Sequence, residues 1–340
     1  MKQWIWALAF GYTLFTGCTA PDPALPNAAE VSTTAAVASA PFTAVCYHPV
    51  AKGDTVRSFS TLNTDLALMQ EAGIDVIRVY EPIDDRAVLD AIAAAGMKVI
   101  TGFGYNQKGK NDLLSGTYID YVKGYKDHPA MFIWELGNEY NYHPEWFDGD
   151  LNVWYATLSA AISEIKAIDT LHLVATAHGE IPDSTALEAG KELDIWGFNV
   201  YRWDLPASFV KDWQAISDQP FYFSELGADS YMKVAKDGFE QGENERAQAQ
   251  AVGHILEELA PHHSAIAGLT LFSFTDGWWK AGNPDTQDVG GYAPNSSGVP
   301  YDGAPNEEFW GMVDIDRNKK EVFGVIAEHF NGIKRTEYEH

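Results

Sequence analysis

The chain has 340 residues, 46% of them apolar and 13% aromatic, enough to bury a large core and too many for a disordered polymer. Against 23 Lys and Arg stand 48 Asp and Glu, a formal net charge of -25 that repels a phosphate backbone, so no nucleic acid partner is expected. Two cysteines, Cys18 and Cys46, offer no disulfide framework, and beyond the amino end no apolar run approaches the roughly 18 residues of a spanning helix.

In chain order, Met1-Lys2, the apolar stretch Trp4 to Phe15 and the small pair Thr16-Gly17 have the order of an export signal, which predicts a leader over residues 1–17. The Cys18 that follows resembles the cysteine of a bacterial lipobox, with Phe15 where Leu is usual. That resemblance implies a diacylated Cys18 and a lipid anchor to a bacterial membrane, periplasm-facing or at the cell surface; an incidental cysteine would mean ordinary secretion. Residues 18–41, rich in Ala, Pro, Ser and Thr and without periodicity, read as a flexible tether. Cys46 sits in an apolar run and reads as a buried small residue.

From residue 42 to 338 short apolar runs alternate with amphipathic patterns, the signature of parallel strands joined by crossover helices. The expected strands are Ala44 to Tyr47, Val76 to Tyr80, Lys98 to Phe103, Met131 to Leu136, His172 to Thr176, Ile195 to Val200, Phe221 to Ser224 and Gly268 to Phe274. Helical patterns fall between them: around Leu66 and Met69 before Gly73, Val88 to Ala93 before Gly96, then Tyr118 to Tyr125, Val153 to Ile168, Glu245 to Leu259 and Val322 to Ile333. Eight such units predict a single (β/α)8 TIM barrel; a doubly wound sheet usually carries a Gly-rich phosphate loop after its first strand, where this chain has Tyr47-His48-Pro49-Val50.

Barrel chemistry is built at the carboxyl ends of strands. The polar residues there are Arg78 in the second strand, Asn106 after the third, Asn138 and Glu139 after the fourth and Glu180 after the fifth. Asn199 and Tyr201 follow the sixth, Glu225 the seventh, and Asp276, Trp278 and Trp279 the eighth. Strands four and seven are expected nearly opposite each other, so Glu139 and Glu225 would meet in one cleft. Two carboxyls about 5 Å apart are what retaining glycoside cleavage requires, one as nucleophile and one as acid and base. The two must differ in protonation: a Glu crowded by aromatics and a like charge stays protonated, and one beside Arg78 stays ionised.

The Asn138-Glu139 pair after strand four and Glu225 ending strand seven resemble the hallmark of clan A retaining glycoside hydrolases. Over nearly the whole barrel that resemblance implies Glu139 as acid/base, Asn138 as a ligand of the sugar 2-hydroxyl and Glu225 as nucleophile. It further implies Arg78 and Tyr201 as partners of the nucleophile and one of Trp278 and Trp279 as a sugar platform. The stretches Leu271 to Lys280 and Phe309 to Asp314 are similar to the catalytic barrel of glycoside hydrolase family 2. Within the 340 residues, that family's flanking β-sandwich domains are not expected. Free-standing barrels with similar motifs occur among β-1,3-glucanases and glucanosyltransferases, which implies a β-glucan substrate, best β-1,3-linked, and no cofactor. The rival is a carbohydrate-binding lipoprotein that kept the barrel without turnover.

Several residues carry plainer readings. Glu135 lies within a strand and reads as a structural ion-pair partner; Glu180 reads equally as a subsite contact or a solvated loop residue. Tyr105, Tyr140, Tyr142, Trp146, Tyr201, Trp203, Trp278, Trp279, Tyr292, Tyr301 and Trp310 crowd the expected rim, where aromatic faces suit sugar rings, and several of them are expected in the core. Residues 281–306, rich in Gly, Pro, Asn and Asp, follow strand eight and are expected to wall the cleft. No metal site is expected: Asp314 to Asn318 imitates a calcium loop but has Lys319 at the turn glycine and Val325 at the closing Glu, and His262-His263 lacks ligand spacing. No serine nucleophile elbow is present.

Overall fold

The computed structural model describes residues 40–105, 110–293 and 301–337. The expected leader, the Cys18 lipidation site and the tether up to residue 39 lie outside the described residues, as do Asn106 and residues 294–300. Among the described residues no helix is long and apolar enough to cross a membrane.

Eight parallel strands close into a barrel: β1 (Phe42–Cys46), β2 (Val76–Val79), β3 (Lys98–Phe103), β4 (Met131–Asn138), β5 (Leu173–Gly179), β6 (Trp196–Asn199), β7 (Phe221–Leu226) and β10 (Gly268–Leu271). A short antiparallel hairpin, β8 (Tyr231–Met232) with β9 (Gly242–Glu243), is inserted after β7. The crossover helices are α1 (Leu62–Glu71), α2 (Arg86–Ala94), α3 (Tyr118–Tyr125), α4 (Leu151–Ile168), α5 (Ser184–Ala189), α6 (Pro206–Gln214) and α7 (Glu245–Leu259), with α8 (Glu321–Glu337) after β10. The TIM barrel read from the alternation is the observed fold. Two helices escaped that reading: α5 has only six residues, and α6 begins on Pro206, where proline suits the first helical turn but reads as a breaker in a bare sequence. Around the barrel β5 and β6 separate β4 from β7, so these strands stand three places apart, one short of diametrically opposite, and are nearly opposite as expected.

Strand alternation divides the side chains into two layers. Outward residues such as Trp134, Trp196, Phe198 and Phe223 pack with α1 to α8 in the main core, where Trp196 stacks on Phe198 at 5.7 Å between ring centres. Inward residues near the amino ends of the strands, Ala44, Val76, Ile100, Ile133, Ala175, Ile195 and Tyr222, plug the barrel floor. At Gly197 a Cβ would come within 2.8 Å of the Tyr222 hydroxyl, which reaches inward to donate to Glu135, so the position favours glycine. Above that floor the interior turns ionic.

The connection from β10 to α8 is tied down by buried carboxylates. Asp276 accepts from Gly311 N at 2.8 Å and pairs with Lys320 Nζ at 3.0 Å, while Asp229 accepts from Asn306 N at 3.0 Å and Glu308 from Ala281 N at 3.1 Å. A polar group withdrawn from water costs stability unless it is bonded, so these backbone donors hold the segment against the barrel top. The described part of the 281–306 segment walls the cleft as expected, through Ala293. Asp276 serves that scaffold and does not line the cleft. The carboxylate of Asp314 is engaged by Asp316 N at 2.9 Å and Asn318 N at 2.8 Å, a local turn in the stretch that imitates a calcium loop.

Candidate active site

At the carboxyl ends of the strands lies a cleft of about 910 Å³. Arg78, on β2, is fully buried beneath it and organises its floor. Its Nε donates to Glu135 Oε1 and Oε2 at 2.9 and 3.0 Å and its Nη2 to Glu135 Oε1 at 2.7 Å. Nη2 also reaches Asn138 Oδ1 at 2.8 Å, and Nη1 reaches Glu225 Oε1 at 2.8 Å. Burial opposes the guanidinium charge, but Glu135 and its other neighbours hold the Arg78 pKa well above its ordinary value. Glu135 is thus the structural partner expected from its place inside the strand, further bound by the Tyr222 hydroxyl.

Two irregularities in strand pairing set the carboxylates. A regular strand sends neighbouring side chains to opposite faces, yet Ser224 and Glu225 both point inward, Ser224 Oγ donating to Asn199 Oδ1 at 2.7 Å. The β6–β7 register shifts between Phe198 and Asn199, the bulge that allows it. On β4 the register with β5 shifts between Glu135 and Asn138; Gly137 takes a φ of 71° and Glu139 a φ of 55°, which turns both Asn138 and Glu139 to the cleft. Gly137 is required twice over there, by its left-handed φ and because a Cβ would meet the Trp154 ring at 2.8 Å.

The two carboxylates live in different surroundings. Glu225 accepts from Arg78, from the Tyr80 hydroxyl at 2.7 Å on Oε1 and from the Tyr201 hydroxyl at 2.6 Å on Oε2. Burial foremost holds both phenols protonated, their pKa values well above the ordinary range, so they remain donors. No cation among the described residues is hydrogen-bonded to Glu139; burial first, and then the charge of Glu225, push its pKa up to about 7, against smaller opposing effects of Asn199 and Arg78. The pairing therefore sets an acid that still carries its proton part of the time near neutrality beside a carboxyl group bonded by three donors. Burial holds the His48 ring neutral, with its pKa lowered to about 4, and it lies 4.8 Å from Trp279. Burial also pushes the Cys46 thiol up to about 12, so it is the inert buried residue expected.

Of the residues singled out from sequence, Glu139, Glu225, Asn138, Asn199, Tyr201, Glu180 and Trp279 line the cleft, with Arg78 directly beneath. Glu180 is tied to Arg202 Nη2 at 2.7 Å, which orients it at the rim. Trp278 does not line the cleft; Lys52 Nζ sits 4.5 Å over its ring. Of the paired tryptophans Trp279 is the cleft residue. Tyr142 and Trp310 also line it, whereas Trp203 and Tyr301 line a separate groove beside α7 and α8, and Tyr140 packs on the core. Sequence reading missed Tyr80, His48, Phe272, Lys280 and Glu307 in the wall. For Tyr80 a signal existed: it lies two residues past Arg78 and shares its face.

No family model and no curated protein matches the chain. Solved structures do resemble it. A family 2 β-galacturonidase from Eisenbergiella tayi, bound to galacturonate, has a TM-score of 0.62 at 19% identity, over 86% of this chain and 51% of its own. A β-glucuronidase from Parabacteroides merdae has 0.60 at 16%, over 85% and 36%, and one from Bacteroides uniformis 0.61 at 18%, over 85% and 35%. The chain spans about half or less of the length of those proteins. What they share with it is the fold, a (β/α)8 barrel.

Proposed function

We propose that the chain is a retaining β-glycoside hydrolase working by double displacement. Glu225 attacks the anomeric carbon while Glu139 gives its proton to the departing glycosidic oxygen; Glu139 then takes a proton from water as that water displaces Glu225. Asn138, held by Arg78 and by Asn199 Nδ2 at 3.0 Å, is placed to bind the sugar 2-hydroxyl, and Trp279 offers an aromatic face. The single observation that carries the reading is the pairing in one cleft of a Glu139, whose pKa burial and Glu225 push up to about 7, with a Glu225 that accepts three donated hydrogen bonds. In this reading the leader and Cys18 make it an exported, lipid-anchored enzyme, and a sugar in place of water would give glucanosyl transfer.

For the substrate we propose a neutral glycan, a β-glucan and first a β-1,3-linked one. The comparison structures include enzymes named for uronides, but a uronate carboxylate would find the guanidinium groups beside the cleft already engaged, Arg78 by Glu135 and Glu225 and Arg202 by Glu180. Lys280, the lysine in its wall, pairs with Glu307 at 3.1 Å. Aryl β-glucoside and β-1,3-glucan are expected to be turned over with kcat/KM at least about tenfold above the matching β-glucuronide and β-galacturonide, a difference of about 1.4 kcal/mol. Uronides hydrolysed as fast would overturn the neutral-substrate reading. Retention of β-1,3-, β-1,4- and β-1,2-glucans without product would make the protein a binder.

The pH profile follows from Glu139. Its acid form is the working form in the first step, so kcat/KM is present below its pKa and falls about tenfold per unit as pH rises past about 7. Glu139→Gln is expected to abolish that limb in a kcat/KM profile on an aryl glycoside; an unchanged alkaline limb would remove Glu139 from the role.

A further inference from the structure

The carboxylate of Glu225 is not surrounded evenly. An ionised carboxyl offers about four lone-pair directions, two on each oxygen. On Oε1 both are taken, by Arg78 Nη1 at 2.8 Å and by the Tyr80 hydroxyl at 2.7 Å. On Oε2 the Tyr201 hydroxyl at 2.6 Å is the donor among the described residues, which leaves one direction open. Arg78 cannot swing away from Oε1, because Glu135 holds its Nε and Nη2 from the opposite side. Tyr80 is equally fixed: its ring lies 4.6 Å under the Arg78 guanidinium, and its strand position faces it into the cleft.

We infer that Oε2, the oxygen facing Tyr201, forms the bond to the anomeric carbon, and that Tyr80 is a positioning residue which withholds Oε1 from that attack and stabilises it when the carboxylate is released. The inference rests on the retaining-glycosidase reading above. In the first step the Oε2–C1 bond forms, the bond from C1 to the glycosidic oxygen breaks, and the Glu139 proton goes to that oxygen. Oε1 becomes the carbonyl oxygen of the ester. In the second step water bonds to C1, its proton goes to Glu139, and the Oε2–C1 bond breaks with its electron pair returning to the carboxyl. The returning charge spreads onto Oε1, where Tyr80 and Arg78 are already donating. In the first step the same donors stabilise the free carboxylate and make it less nucleophilic, so Tyr80 favours the second step over the first.

Two measurements test this. With a 2,4-dinitrophenyl β-glycoside, whose leaving group makes release of the ester the slow step, Tyr80→Phe is expected to lower kcat and KM together by about tenfold, the size of one hydrogen bond to a charged group. kcat/KM is expected to change less than about threefold, since it reports the first step. A proportional fall in kcat and kcat/KM, or no change in kcat, would overturn the inference. The second measurement uses the unaltered protein, crystallised after labelling with a 2-deoxy-2-fluoro-β-glycosyl fluoride. The ester is expected at the oxygen facing Tyr201, with Tyr80 and Arg78 on the carbonyl oxygen. An ester at the oxygen facing Tyr80 overturns the inference alone, and a label on a residue other than Glu225 overturns it together with the functional reading beneath it.

Discussion

Glu225→Ala is expected to lower kcat by at least roughly 10⁴-fold on any β-glycoside the protein cleaves, because the covalent step loses the atom that makes the bond. The fold should survive. Arg78 keeps its three hydrogen bonds to Glu135, and the cavity left at Glu225 opens to the cleft, where water can enter. Unchanged circular dichroism would separate lost chemistry from lost structure. Added azide then gives a stereochemical reading. In Glu225→Ala azide can replace the missing carboxylate and attack once, giving an α-glycosyl azide by inversion. In Glu139→Ala, with an activated leaving group, azide attacks the glycosyl ester in the second displacement and gives a β-glycosyl azide. Wild-type rates in either variant, or the same anomer from both, would sink the double displacement.

The barrel was legible because its signal is repeated and local. Each unit needs one apolar run and one amphipathic run, and the strand expected at Lys98 to Phe103 and the helix at Tyr118 to Tyr125 have the observed ends. What escaped was short or unperiodic, as with α5 and the β8–β9 hairpin, whose strands of two residues cannot show a period. Strand ends blurred for another reason. β4 and β7 run on past the expected ends, reaching Asn138 and Leu226, because bulges extend pairing past the apolar core.

The candidate site was legible in residue type and only partly in direction. Asn138-Glu139 and Glu225 announce themselves as polar residues ending apolar strands, but alternation alone would send Ser224 and Glu225 to opposite faces, and only the register shift against β6 brings both inside. Trp278 and Trp279 are indistinguishable by composition; the chain path after β10 puts one in the cleft and the other under Lys52. Alternation alone puts Tyr80 on the face of Arg78. Its meaning depends on a residue far away in sequence, the Glu225 it bonds, and no local pattern encodes that pairing.

Arg78→Leu is expected to destabilise the protein by about 3–5 kcal/mol, the range for breaking a buried ion pair by removing one partner. The cause is what remains. Glu135, 1% exposed, would be left inside the barrel with the Tyr222 hydroxyl as its remaining donor among the described residues, and Glu225 would lose its cation. Arg78→Lys should recover little, since one ammonium cannot span Glu135, Asn138 and Glu225 as the planar fork does. The pair Arg78→Leu with Glu135→Leu separates charge from packing: removing both members takes the stranded carboxylate out of the interior, and most of the lost stability should return in urea unfolding. Activity should not return with it, because Glu225 would still lack the guanidinium that holds Oε1. A single variant that loses less than about 1 kcal/mol, or a double variant no more stable than the single one, would mean that the ionic layer in the barrel is not what Arg78 sustains.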